Sequence, residues 1–264
     1  MKKKIKVSVI ITAEKKERYI ERSINSCLDQ SYSNVEIIVA YTNLKNIIFL
    51  KKKFLLKNVI FLRIKKKIRI STQDQLFKIY KSLAVSKGQY IFLMDGDDCF
   101  KEWKIKKIVT KVHKLNVLSL DSFHEIHNKK IKNVKTSLLK NNKIYKTLIN
   151  PWPKNICTSC ISLDRKLLSE FFKKIKIKNF KFVAVDALLV IYFSIKKKIL
   201  KSEEIMTEKY SVEDSVDSYF IGIFNKFFWL RRLEQHNFYN SQLGEKKMNL
   251  DFILTKFITF LIKK

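Results

Sequence analysis

Proline and glycine are nearly absent from this chain, at two and four residues among 264. That scarcity excludes collagen-like, low-complexity and loop-dominated architectures. No segment recurs at a period of about 20 to 50 residues, which argues against a solenoid. Cysteine is scarce too: Cys27, Cys99, Cys157 and Cys160 in a chain of this length do not make a disulfide scaffold, and they read as a reducing, cytoplasmic setting. No run of about 18 uncharged apolar residues is available to span a bilayer. The basic start, Lys2 to Lys6, lacks the apolar core of a signal peptide. Acids are outnumbered, 24 Asp and Glu against 55 Lys and Arg, giving a formal charge of +31.

A chain that is 46% hydrophobic has the material for one sizeable buried core, and intrinsic disorder is excluded as its main state. The charge suggests nucleic acid or an anionic membrane as a partner. Only seven of the 55 cations are arginine, however (Arg18, Arg22, Arg63, Arg69, Arg165, Arg231 and Arg232). Readers of phosphates and bases lean on the arginine fork, so no nucleic acid is expected. Codon bias toward A and T is a competing source of the lysines.

Lys6 to Ile11 is a β-branched apolar run of the kind that forms a buried parallel strand. A helix follows over Glu17 to Gln30, with Tyr19, Ile20, Ile24, Cys27 and Leu28 on one stripe. Val35 to Ala40 is the next strand, completing a βαβ unit, whose ligands sit at the carboxyl ends of its strands. Val59 to Ile64 reads as a third strand and Gln73 to Val85 as a helix closed by Lys87-Gly88. Gln89 to Met94 then delivers Asp95-Gly96-Asp97-Asp98 at its carboxyl end. Helices are expected over Lys101 to Leu115, Asp164 to Lys174, Val183 to Ser194, Tyr219 to Tyr239 and Leu250 to Ile262.

Three carboxylates within four residues repel one another, and a hard divalent cation such as Mg²⁺ or Mn²⁺ would offset that repulsion. The competing reading is that Asp97 and Asp98 only start the next helix.

The opening VSVII, the segment RYIERSINSCLDQSYSNVEIIV and the block SLAVSKGQYIFLMDGDD, in this order over roughly residues 5 to 110, resemble the family 2 glycosyltransferases. The resemblance implies an α/β GT-A fold, a Rossmann-like, mostly parallel sheet flanked by helices. It implies that Asp95 and Asp97 hold the ribose and the diphosphate-bound metal of a nucleotide-diphospho-sugar donor, with Gly96 between them and Asp98 as an alternative metal ligand. The loop Thr12, Ala13, Glu14 would pack against the nucleobase. The usual Asp after the second strand is replaced by Ala40, and the next residue, Tyr41, either stacks on the base or covers the sheet edge. Lys78-Ile79-Tyr80 replaces the family's Ala-Arg-Asn segment. On the acceptor side NICTSCIS followed by Asp164-Arg165 looks like the family's strand and helix start, and Asp186 is the expected catalytic base; its competing reading is a first-turn acid.

The organisation expected is a GT-A domain over 1–205, with a donor half 1–115 and an acceptor half 116–205, and a helical C-terminal extension over 206–264. The acceptor would be a glycan or a lipid-linked sugar of cell-surface polysaccharide assembly. The basic C-terminal helices would give peripheral contact with the inner face of the membrane. Cys157-x-x-Cys160 is expected in a strand, and His124 and His127 in a polar loop. The rival is a catalytically degenerate or non-enzymatic basic module that binds nucleic acid or an anionic membrane.

Overall fold

The computed structural model describes residues 5–14, 18–65, 70–112, 115–138, 152–210, 222–244 and 248–263. Glu17, and residues 219–221 of the first C-terminal helix read from the sequence, lie outside them.

Strands β1 (Val7–Ala13), β2 (Val35–Tyr41), β3 (Val59–Arg63) and β4 (Tyr90–Asp95) are mutually parallel and stand in the order β3-β2-β1-β4. The helices between them are α1 (Ile20–Leu28), α2 (Ile47–Lys53) and α3 (Ser71–Val85). Successive strand side chains alternate between faces. Ile10, Ile91 and Leu93 therefore enter one core with Leu76 and Ile79 of α3, whereas Val9, Ile11, Phe92 and Met94 enter a second with Ile20 and Ile24 of α1. Both faces of β1, β2 and β4 are covered, which is why these three strands read as continuous apolar runs, whereas β3 lies at the sheet edge and is partly exposed.

The sheet continues through β5 (Cys99–Phe100), β6 (Leu118–His127), β7 (Lys130–Val134), β8 (Ile161–Asp164) and β9 (Ile199–Tyr210). β8 is antiparallel to β4 and to β6, β9 is parallel to β6, β5 is antiparallel to β9, and β7 pairs with the far end of β6. The remaining helices are α4 (Lys104–Val112), α5 (Arg165–Lys174), α6 (Val185–Ile195), α7 (Lys226–Leu243) and α8 (Leu250–Lys263). No described helix is long and apolar enough to cross a membrane.

Three local expectations are corrected. His124 and His127 are strand residues, because β6 extends to pair with β7 on one side and β9 on the other. Cys157 to Cys160 forms a 3₁₀ turn, closed by the Cys160 N–H on the Cys157 carbonyl at 3.0 Å, so the strand begins only at Ile161. β9 runs through residue 205, carrying the sheet beyond the boundary read from the sequence.

At the amino-terminal edge of the parallel strands, Ser8 donates to Glu36 at 2.5 Å, and the Gly88 N–H donates to Ser8 Oγ at 2.8 Å. A Cβ on Gly88 would lie 2.3 Å from the Ser8 backbone nitrogen, so the Lys-Gly turn needs glycine for close approach.

Candidate active site

The register of the parallel strands assembles the site. Thr12 of β1 pairs with Asp95 of β4 on one side and Ala40 of β2 on the other, and Ala13 pairs with Tyr41. The connections leave β1 in opposite directions here, so the crevice above β1 and β4 is a topological switch point, where open α/β sheets hold ligands.

Asp95 is held from three sides. Gln75 Nε2 donates to its Oδ1 at 2.6 Å, Thr12 Oγ1 donates to the same oxygen at 3.3 Å, and the Asp95 N–H donates to Ser159 Oγ at 3.0 Å. The Gly96 N–H bonds the Thr12 carbonyl at 3.0 Å. A Cβ on Gly96 would lie 3.1 Å from that carbonyl and 3.3 Å from the Ala13 Cβ, so the loop lies directly against the end of β1.

The next two acids diverge. Asp97 is buried, and its carbonyl accepts from Arg22 Nη2 at 2.8 Å; the Arg22 guanidinium stacks 3.4 Å from the Tyr210 ring centroid. Asp98 turns inward. Its Oδ2 accepts from Ser159 Oγ at 2.5 Å and its Oδ1 from the Tyr210 N–H at 3.0 Å. Both oxygens of Asp98, expected as an alternative metal ligand, accept hydrogen bonds that tie the loop to the cysteine turn and to β9. Burial and then the neighbouring Asp97 charge push its carboxyl up to about 7. Ser159 is the common fastener, accepting from one acid's backbone while donating to the other's side chain.

Beneath the turn lies a fully buried ion pair. Lys104 Nζ reaches Asp121 Oδ1 at 2.9 Å, the Ser159 carbonyl at 2.7 Å and Thr207 Oγ1 at 2.6 Å, and Thr207 donates to Asp121 Oδ2 at 2.7 Å. Burial raises the Asp121 carboxyl, and Lys104 opposes that.

On the base side, Lys78 of α3 is 1% exposed and donates to the Ala13 carbonyl at 3.0 Å, while pairing with Glu14 at 2.9 Å and Asp74 at 2.6 Å. The residue that replaces the family's Ala-Arg-Asn segment thus clamps the loop after β1. Tyr41, expected over the base, is 4% exposed and packed in the α1-side core, so its ring presents no open face. The correction follows from register: Tyr41 is the last residue of β2, opposite the wholly buried Ala13.

On the acceptor side, Asp186 sits partly exposed in the first turn of α6, where its Oδ1 accepts from the Ala187 N–H at 2.6 Å. Just before it, the Glu234 carboxylate of α7 receives the successive N–H groups of Lys181, Phe182 and Val183 at 2.6, 2.7 and 2.9 Å. Cys157 and Cys160 are buried with their sulfurs 2.9 Å apart, and burial raises the Cys157 thiol well above its usual range.

Among the described residues, no three His, Cys, Asp or Glu side chains converge as a metal cage. The Asp95 and Asp97 carboxylates nonetheless suit Mg²⁺ or Mn²⁺, which take one or two carboxylates and complete their shell with water and phosphate oxygens.

Gln75, Arg22, Ser159 and Lys104 were given no role in the sequence reading, and Lys78 was noted only as part of the segment that replaces Ala-Arg-Asn. A signal existed for two of them: Gln75 and Lys78 adjoin Leu76 and Ile79 on the inward stripe of α3, and polar groups at core positions need a buried partner.

No family model matches the chain. It is 32% identical over 125 residues to a Haemophilus influenzae protein named an uncharacterized glycosyltransferase; the match takes in 46% of this chain and 37% of that one, so the chain spans little more than a third of that relative's length. Residues 1–349 of TarS from S. aureus, solved with UDP, superpose with a TM-score of 0.65 at 14% identity, covering 97% of this chain and 70% of that fragment. The mannosyltransferase PcManGT of Pyrobaculum calidifontis, in complex with GDP-Man and Mn²⁺, superposes with a TM-score of 0.58 at 10% identity, covering 98% and 70%. By its sheet, its helical layers and these likenesses, the chain has the GT-A fold of the glycosyltransferases it superposes on.

Proposed function

We propose that this chain transfers a sugar from a nucleoside diphosphate donor to a hydroxyl of a glycan or lipid-linked acceptor, with inversion at the anomeric carbon. The observation that carries the reading is the placement of Asp95 at the β1–β4 switch point, its Oδ1 oriented by Gln75 and Thr12. Residues 1–115 form the donor half, 116–210 the acceptor half, and α7 and α8 the helical extension.

Thr12 and Glu14 line the nucleoside on either side of the wholly buried Ala13, with Lys78 fixing the loop's conformation. Gly96 lets the acidic loop pack directly against the end of β1, which sets Asp95 beside Thr12. Asp95 and Asp97 hold a divalent cation, which when bound neutralises the charge that builds on the departing diphosphate. The Asp186 carboxylate takes the proton of the acceptor hydroxyl as that oxygen bonds to the anomeric carbon; the carbon–oxygen bond to the diphosphate breaks, and nucleoside diphosphate leaves. Cell-surface polysaccharide assembly is the setting in which such acceptors occur.

Calorimetric titration with UDP, GDP, UDP-GlcNAc and GDP-Man, with and without Mn²⁺, tests this on the wild type, Asp97→Ala and Asp186→Asn. The expected result is binding of one nucleotide class that needs Mn²⁺, is lost in Asp97→Ala and survives in Asp186→Asn. Absence of binding across the whole panel would overturn the proposal.

A further inference from the structure

Helix α8 is built inside out. Its inward positions are Asp251, Phe252, Thr255 and Thr259, all buried. Asp251 accepts from Arg232 Nε of α7 at 2.7 Å, and its other oxygen lies 3.4 Å from His236 Nε2. The outward positions are Leu250, Ile253, Leu254, Phe257, Phe260 and Leu261, between 48% and 61% exposed. They recur at spacings of three and four, which makes one continuous stripe. A helix serving only its own core would turn Phe257 and Phe260 inward and the two threonines out. The stripe amounts to roughly 600 Å² or more, at or above the largest apolar patch an ordinary monomer leaves exposed.

Charge selects the occupant. No carboxylate shares the outward face of α8; the charge beside the stripe is Lys256, whose Nζ lies 4.6 Å from the Phe252 ring centroid. Ile48, Phe49, Leu55 and Leu56, on and after α2, are also exposed and stand among Lys51, Lys52, Lys53 and Lys57. A second copy would bring another +31 chain against this face with no acid on it to pair with Lys256. An anionic bilayer surface offers what the face lacks: an acyl boundary for the apolar side chains and phosphate oxygens for the flanking lysine.

We propose that the outward face of α8 lies in the interface of an anionic lipid bilayer, with Leu250 to Leu261 in the acyl boundary and Lys256 among the headgroups. The proposal does not depend on the transferase reading, because none of these residues belongs to the donor site.

Co-sedimentation of the full 264-residue chain with phosphatidylcholine vesicles, with and without phosphatidylglycerol, tests it. The wild type is expected to bind the phosphatidylglycerol vesicles. The double variant Phe257→Ser/Phe260→Ser should bind at least ~10-fold more weakly, since two half-exposed rings no longer enter the acyl boundary. Unchanged circular dichroism and nucleotide binding would establish that the variant is folded. Three results would overturn the proposal: no binding by the wild type, equal binding by wild type and variant, or a concentration-dependent dimer in sedimentation velocity that the same substitutions abolish.

Discussion

Replacing Lys104 by methionine strips the buried Asp121 carboxylate of its cation while leaving the space filled. Both side chains are wholly inaccessible, and Asp121 keeps Thr207 Oγ1 as a donor. Breaking a buried pair on one side costs about 3 to 5 kcal/mol, because the remaining charge is desolvated without compensation. That is a large share of a total stability of about 5 to 15 kcal/mol. Asp121→Leu should cost a similar amount by stranding the ammonium. The double variant removes both charges, and Thr207 Oγ1, 3.3 Å from the Ser159 carbonyl, is placed to donate to that carbonyl in place of Lys104. Its cost should therefore fall to about 1 to 3 kcal/mol, the range for one imperfectly satisfied polar group. Urea unfolding followed by circular dichroism on the wild type, both singles and the double closes the cycle. Strong non-additivity is expected, with the double more stable than either single. Additivity within about 0.5 kcal/mol would refute the reasoning, since that is the behaviour of independent sites.

Two further outcomes are expected. Gly88→Ala should destabilise the chain by about 2 kcal/mol or more in the same assay, because the new Cβ meets the Ser8 backbone at 2.3 Å and displaces the Gly88 N–H from Ser8 and Glu36; a change under about 0.5 kcal/mol would contradict that packing. For Asp251, burial works to raise the carboxyl, but hydrogen bonds from His236 and Arg232 outweigh it and lower it to about 2. A carboxyl with a lowered pKa stabilises the fold above its unfolded value of about 4 and loses that contribution as pH falls toward 2. Asp251→Asn should cost about 2 kcal/mol at pH 7 and visibly less at pH 3, read from urea midpoints; a cost that does not shrink on acidification would count against the ion pair.

Strands β1, β2 and β4 were legible because each is buried on both faces, and α1 and α3 because their apolar stripes have helical spacing. The Asp95 loop was legible because it follows an apolar strand directly. α2 was not, since Leu44 to Lys53 carries no clean periodicity and its Ile48 and Phe49 point to solvent. The direction taken by Tyr41 and Asp98 was not legible for one reason: a side chain at a strand end or in a tight turn has two directions open to it, and partners distant in sequence choose between them. For Asp98 those partners are Ser159 and Tyr210, 61 and 112 residues away.

The order of hydrophobic runs, helical stripes and turn residues by itself determined the alternation of parallel strands and helices and the position of the acidic loop at a strand's carboxyl end, because these depend on local periodicity and chain connectivity. Only the tertiary structure decided which acid faces the crevice and which is buried, that Lys78 clamps the base-side loop, that Lys104 and Ser159 support the acidic turn, and that α8 turns its phenylalanines outward. Each of those outcomes rests on pairing between segments far apart in the chain, where desolvation and hydrogen bonding, rather than residue type, fix the direction of a side chain.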